Sequence, residues 1–245
     1  MFRTFLGLIA AGALSAQPHV ELEGRYWFSQ VNSKIRVEKQ GLGTDIDVKN
    51  DLGFTDSDFP EGRAAVRWGH SRLSFDYTPI DFSGDRVVSR TLVFNGRTYS
   101  FGTQVISDLE AKHLQLGWTY QFHLLGGRVK LGPMVEAHGF LLSGSLRAPA
   151  VNVESKEDLS VGLPTVGPSL EISPHRRIDV YGEASGMSAG DYGHFIRSEA
   201  GVRFRPLRFV QFTAGYRTFN LRVANSPDFA HLHLRGPFVG GGFRW

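Results

Sequence analysis

The chain lacks cysteine, and it lacks a strong excess of either charge. Without cysteine it has neither a disulfide framework nor a zinc–thiolate site. A net charge of +3 is too small to argue for a nucleic-acid partner. Beyond the first residues no apolar run approaches the roughly 20 residues a membrane helix needs, so any crossing must be made by strands. No glycine-rich phosphate loop stands out, because Asn95-Gly96 and Gly126-Gly127 are turn chemistry. Apolar residues make up 41% of the 245, which is enough to fold and excludes a disordered chain. All-β barrels of this length are often one domain.

The first sixteen residues, MFRTFLGLIAAGALSA, have a different layout. Arg3 gives a positive start, Phe5 to Ala11 is apolar, and Ala11-Gly12-Ala13 and Ala13-Leu14-Ser15-Ala16 offer small-residue cleavage sites. This predicts a secretory signal peptide over 1–16, followed by a single domain over 17–245.

The remainder has the period of strands. In HLQLGWTYQF, Leu114, Leu116, Trp118, Tyr120 and Phe122 oppose His113, Gln115, Gly117, Thr119 and Gln121. In VELEGRYWF, Val20, Leu22, Tyr26 and Phe28 oppose Glu21, Glu23 and Arg25, with Trp27 breaking the pattern on the polar side. Similar alternation recurs around Ala64–Trp68, Leu73–Tyr77, Val129–Leu141, Ile178–Ser185, Ile196–Phe204 and Val210–Tyr216. Leu159 to Ile172 alternates only in part, and His231 to Trp245 is rich in glycine. The pattern predicts about ten strands, eight being possible, in an all-β chain. Short connections at 69–71, 123–127, 173–175 and 206–208 take turns with mostly longer polar ones at about 30–58, 83–102, 143–157, 189–193 and 221–230. That order predicts an up-and-down antiparallel transmembrane β-barrel with tight turns at one end and loops at the other.

Aromatic residues sit near the strand ends, among them Tyr26, Trp68, Tyr77, Trp118, Phe204 and Tyr216, as headgroup belts require. The chain finishes on Phe243-Arg244-Trp245, with Val239, Gly241, Phe243 and Trp245 on one face. This ending resembles the C-terminal strand of bacterial outer-membrane β-barrel proteins, of the small OmpA-like class. The resemblance implies an outer-membrane location in a Gram-negative-type bacterium, with outer-membrane lipid and lipopolysaccharide as surroundings. It also implies that the barrel-assembly machinery reads Phe243 and Trp245, and it puts the tight turns in the periplasm and the long loops outside. A monomer without cofactor is expected.

With apolar faces toward lipid, the polar faces point inward. They carry Glu21, Glu23, Arg25, Arg63, Arg67, Asp76, Lys130, Glu136, His138, Asp179, Glu183, Arg197, Glu199, Arg203 and Arg217. Unpaired buried charge is costly, so these are expected to pair into a salt-bridged, mostly plugged lumen rather than a porin channel. The expected role is structural, adhesive or that of a narrow channel.

Two other readings compete. An outer-membrane lipid- or peptide-hydrolysing enzyme needs a nucleophile, a base and an orienting group together. Ser188, Asp191 and His194 supply the types near one connection, but small polar residues are what any turn contains. The paired aspartates and Asp–His dyad of an omptin-like protease map onto no matching motif, so no catalytic residue is assigned. Glu136 and His138 share a face, as an acid–base pair would. His231 and His233 have a metal-compatible spacing but no carboxylate or thiol fixed beside them, so no metal is assigned. The other reading is a periplasmic lipocalin-like carrier with an apolar cavity. The long connections are the expected working surface. IRVEK and DIDV in the first, and the residues around Asn95-Gly96 in the second, predict hairpins standing above the membrane.

Overall fold

The structure, a computed structural model, describes residues 18–36, 44–94, 96–151, 153–225 and 228–245. The predicted signal peptide over 1–16 lies outside them, as do Val37, Glu38 and Lys39 of the first connection and Asn95 of the second.

Ten strands form the wall: β1 (His19–Arg36), β2 (Ser57–Trp68), β3 (Ser71–Val87), β4 (Gln104–Tyr120), β5 (Val129–Ala148), β6 (Val153–His175), β7 (Ile178–Ser188), β8 (Gly193–Phe204), β9 (Val210–Asn225) and β10 (Asp228–Arg244). Each pairs antiparallel with the next in sequence. β10 then pairs with β1, Phe243 opposite Leu22, and the sheet closes on itself. Closure leaves no exposed edge to recruit another strand. Main-chain bonds between Val20 and Trp245, 2.9 and 3.1 Å, bring the two ends of the wall together.

The tight turns lie at Gly69–His70, 121–128, Arg176–Arg177 and 205–209. Gly69 has φ +52°, a left-handed conformation that the two-residue turn needs and glycine adopts freely. These turns carry Arg128, Arg176, Arg177, Arg205 and Arg208 and no acidic residue.

The opposite end differs from expectation. The predicted polar connections at 143–157 and 221–230 are largely continuous strand, with Ser143 paired to Asp158 and Arg222 to His231. Polar side chains on both faces suit a wall that stands in water, so polarity alone did not mark a loop there. β1 likewise runs on to Arg36.

The two surfaces of the wall change character along its length. Toward the turn end the exterior is apolar: Leu22, Phe28, Phe75, Leu116, Trp118, Leu131, Val202, Phe212 and Phe243 are all exposed there. On the same strands the exterior toward the loop end is polar, with Gln30, Asn32 and Lys34 on β1 and Arg235 on β10. The interior changes in the opposite sense. Stepping up β1 it reads Glu21, Glu23, Arg25, then Trp27 and Val31. β8 passes from Arg197 to Phe195, β9 from Arg217 to Phe219, and β5 from His138 to Phe140. The barrel therefore has membrane polarity, apolar outside and charged inside, in its lower part. In its upper part it has the polarity of a water-soluble barrel.

The first two loop-end connections fold down over the mouth. This corrects the expectation of hairpins standing above the membrane. In the first, Ile46 pairs with Ile35 of β1, and Ile46, Val48, Leu52 and Phe54 are buried. In the second, Leu92–Phe94 pairs with Arg97–Tyr99, and Leu92, Phe94 and Tyr99 are buried. Their apolar residues have an apolar upper barrel to enter, which is what draws them inward.

Candidate functional site

The lumen and its cap hold most of the buried polar chemistry among the described residues. In the lower layer, alternation puts every second side chain of each strand inside, and the strand registers bring opposite signs together. Glu199 of β8 is the centre. Its carboxylate lies 2.9 Å from Arg25 Nη1, 3.4 Å from Arg63 Nη1 and 2.7 Å from Arg197 Nη2, and it accepts from Arg217 Nε at 2.8 Å and Tyr181 Oη at 2.9 Å. Arg217 also binds Glu61, and Arg25 binds Glu23 at 2.9 Å. Arg63 binds Asp76, and Arg72 binds Glu183.

A second group sits nearer the turns. Glu171 accepts from Lys130 at 2.7 Å and from Arg67 at 3.1 Å, and Arg203 lies 3.4 Å away. Arg67 reaches Glu21 at 3.2 Å, and Arg205 reaches Asp179 at 2.6 Å. Just below the rings, Arg197 lies 3.5 Å from Glu136, which is 3.3 Å from His138 Nε2. The fifteen predicted lumen residues thus face inward; fourteen take part in ion pairs, and His138 meets Glu136 through its imidazole. Gly240, opposite Arg25 in the register, makes room for this: a β-carbon there would meet Arg25 Cγ at 2.8 Å and Glu23 Oε1 at 2.9 Å.

Above the charges lies a layer of rings. Trp27 meets Phe219 edge-on at 5.4 Å and Phe59 at 6.0 Å, Phe140 meets Phe195 at 5.7 Å, and Phe195 meets Phe219 at 5.9 Å. Arg217 lies 5.5 Å from the Trp27 ring centre and joins the two layers by a cation–π contact.

The cap closes the top. Arg90 of the second connection grips Asp51 of the first through Nη2 at 2.6 Å and Nε at 3.2 Å. Thr44 N donates to Val93 O at 3.1 Å, and Val93 N donates to Thr44 Oγ1 at 3.2 Å, so the two connections form one lid. Burial would raise the Asp51 carboxyl. The Arg90 guanidinium and the Asp47 N–H, 2.9 Å away, outweigh it and hold the carboxyl below its usual range. Lys49 and the Val31 N–H do the same for Asp56. Tyr99 Oη donates to Leu146 O at 3.1 Å, and burial pushes its phenol up to about 12. The lid lies on the wall at Gly84, where a β-carbon would fall 2.2 Å from Leu52 O.

Comparison with solved structures places the fold. OmpT, the outer-membrane protease of Escherichia coli, superposes with a TM-score of 0.57 at 9% identity, over 96% of this chain and 99% of that one. This chain has the outer-membrane β-barrel fold. Neisserial surface protein A (TM-score 0.37, 13% identity, 93% and 97% covered) also matches, as does the translocator domain of the autotransporter NalP from Neisseria meningitidis (0.41, 11%, 94% and 89%). No protein-family model matches the chain, and no curated protein matches it in sequence.

As an outer-membrane barrel, its apolar exterior faces lipid. The periplasmic-carrier alternative requires an exterior that faces water, whereas the lower wall is apolar outside, and most of the apolar interior belongs to the upper barrel. Phe243 of β10 and Trp245, the residue after it ends, are both exposed. The residues proposed for chemistry are not assembled. Ser188 and His194 are opposite one another in the register and Asp191 lies in the turn between them, but no hydrogen bond joins the three. Glu136 and His138 do meet, yet they are enclosed with His113, Thr165 and Phe195 inside the barrel. His231 is hydrogen-bonded to Asn220, 3.1 Å, on the wall.

Several network members escaped the sequence reading. Glu61 has the parity of Arg63 and Arg67 but lies ahead of the alternation recognised around Ala64–Trp68. Glu171 falls in the partly alternating stretch, and Arg72 was on a recognised polar face without being counted. The inward rings were missed because only one apolar face per strand was sought.

Proposed function

We propose that the protein is a closed, non-conducting outer-membrane barrel that works through its capped outer face, in a structural and binding role. The observation that carries this is the filled interior, with ion pairs below, rings above them and the interlocked lid on top. Water and solutes have no polar path through a layer of Trp27, Phe59, Phe140, Phe195 and Phe219.

The surroundings follow the same reading. Lys34, Arg222 and Arg235 stand on the exterior just beyond the apolar belt, where lipopolysaccharide phosphates would meet them. The alternating ending at Phe243 and Trp245 is the surface offered to the barrel-assembly machinery. One chain closes its own sheet, which supports a monomer.

Single-channel recording of refolded protein in a planar bilayer tests the reading. The expected result is silence from a preparation that shows the heat-modifiable migration of an inserted barrel. Stable conductance steps would overturn it.

A further inference from the structure

We propose that the space beneath the lid is a binding site for a small, neutral, largely apolar molecule with one hydrogen-bonding group, such as a monocyclic phenol. This rests on the lid being the closed working face. A cavity of about 120 Å³ lies between the lid and the wall. Val48, Leu52 and Phe54 of the first connection and Phe94 of the second form its roof, and Leu142 and Leu221 belong to its wall. It lies above the ring layer, where the lid meets the upper wall. Apolar cavities of about 150 Å³ stay dry and accept benzene-sized guests, because the lining regains dispersion contacts that a void withholds.

A second observation sets the polarity of the guest. Ser33 lines the same cavity, is buried, and its hydroxyl has no hydrogen-bond partner among the described residues. A guest carrying one donor or acceptor would satisfy it. Ser107, the other buried hydroxyl in the lining, is already engaged with Gly84 O at 3.2 Å and Leu52 O at 3.4 Å. No lysine or arginine among the described residues lines the space, so an anionic guest would find no counter-charge there. The rings of Phe54 and Phe94 suit a flat guest.

Gly144 supplies the test. It lines the cavity, and a β-carbon there would meet nothing nearer than Leu109 Cδ1 at 3.9 Å. Gly144→Leu therefore places a side chain in the void without displacing the wall. Binding of p-cresol and of toluene is measured by titration calorimetry on protein in nanodiscs, with the folded state checked by gel migration. The unmodified protein is expected to bind p-cresol saturably at one site, and Gly144→Leu to lose that binding. Ser33→Ala, a milder change, is expected to weaken p-cresol about tenfold while leaving toluene unchanged. Equal uptake by the unmodified protein and both variants is partition into lipid and overturns the proposal. Absence of saturable binding in a barrel that is silent in the planar bilayer overturns the proposal alone. Steady conductance from the same preparation overturns the closed-lid reading instead.

Discussion

Arg25 Nη1 lies 2.9 Å from Glu199 Oε1, and the pair joins β1 to β8 across the lumen rather than along the wall. The strands are not neighbours; β9 and β10 separate them. Arg63 from β2 and Arg217 from β9 converge on the same carboxylate. Glu199 is therefore a tie between distant parts of the circumference. Removing one partner of a buried ion pair leaves the others uncompensated, which costs more than the pair itself contributes.

Glu199→Gln is accordingly expected to destabilise the barrel by about 3–5 kcal/mol. Urea unfolding in detergent micelles, followed by the heat-modifiable band, measures it. Glu199→Gln combined with Arg217→Met should cost clearly less than the sum of the two single changes, because both act on one network. Strict additivity would show that the pair is not coupled.

Trp27→Ala removes a ring from the upper layer and is expected to cost about 3–5 kcal/mol, as large core truncations do. Conductance should stay absent, since the ion-paired layer beneath is intact. Channel steps from this single change would mean that the rings alone seal the lumen.

Gly84→Val is expected to lift the lid, because its side chain would occupy the place of the Leu52 carbonyl. Limited proteolysis should cut within residues 44–56 faster than in the unmodified protein, while the gel migration of the barrel is unchanged. Equal cutting rates would show that the lid does not rest on this position.

The Asp51–Arg90 clip gives the lid a pH dependence. Its folded carboxyl lies below the ordinary value of about 4 while Arg90 stays charged. The clip thus contributes fully above that ordinary value and is lost as pH falls through the lower, folded one. Amide protection factors across residues 44–56, corrected for intrinsic exchange, should fall below about pH 4. Asp51→Asn should lower them at neutral pH and flatten the dependence. An unchanged profile in that variant would assign the acid effect to another group.

Much of the lower barrel was legible because one rule governs it: apolar on one parity for lipid, charged on the other for the lumen. The upper barrel obeys the opposite rule, and the change of parity is visible in retrospect. In β3, Leu73, Phe75 and Tyr77 share one face, then Ile80 and Phe82 occupy the other. In β9, Phe212 and Tyr216 give way to Phe219 and Leu221. Trp27, which seemed an exception in β1, is the first residue of the new regime. The fold of the connections was less accessible. Nothing local tells Val48, Leu52 or Phe94 that an apolar mouth lies beneath them, and the Asp51–Arg90 clip spans 39 residues.

The turns at the narrow-connection end bear Arg128, Arg176, Arg177, Arg205 and Arg208 with no acidic residue, whereas the first loop-end connection is rich in aspartate. At the loop end, Asp45, Asp51 and Asp56 are paired with Arg36, Arg90 and Lys49, so the unbalanced charge is that of the basic turn rim. A basic side chain near an anionic leaflet gains about 1 kcal/mol. The two rims thus differ in charge as well as in the lengths of their connections.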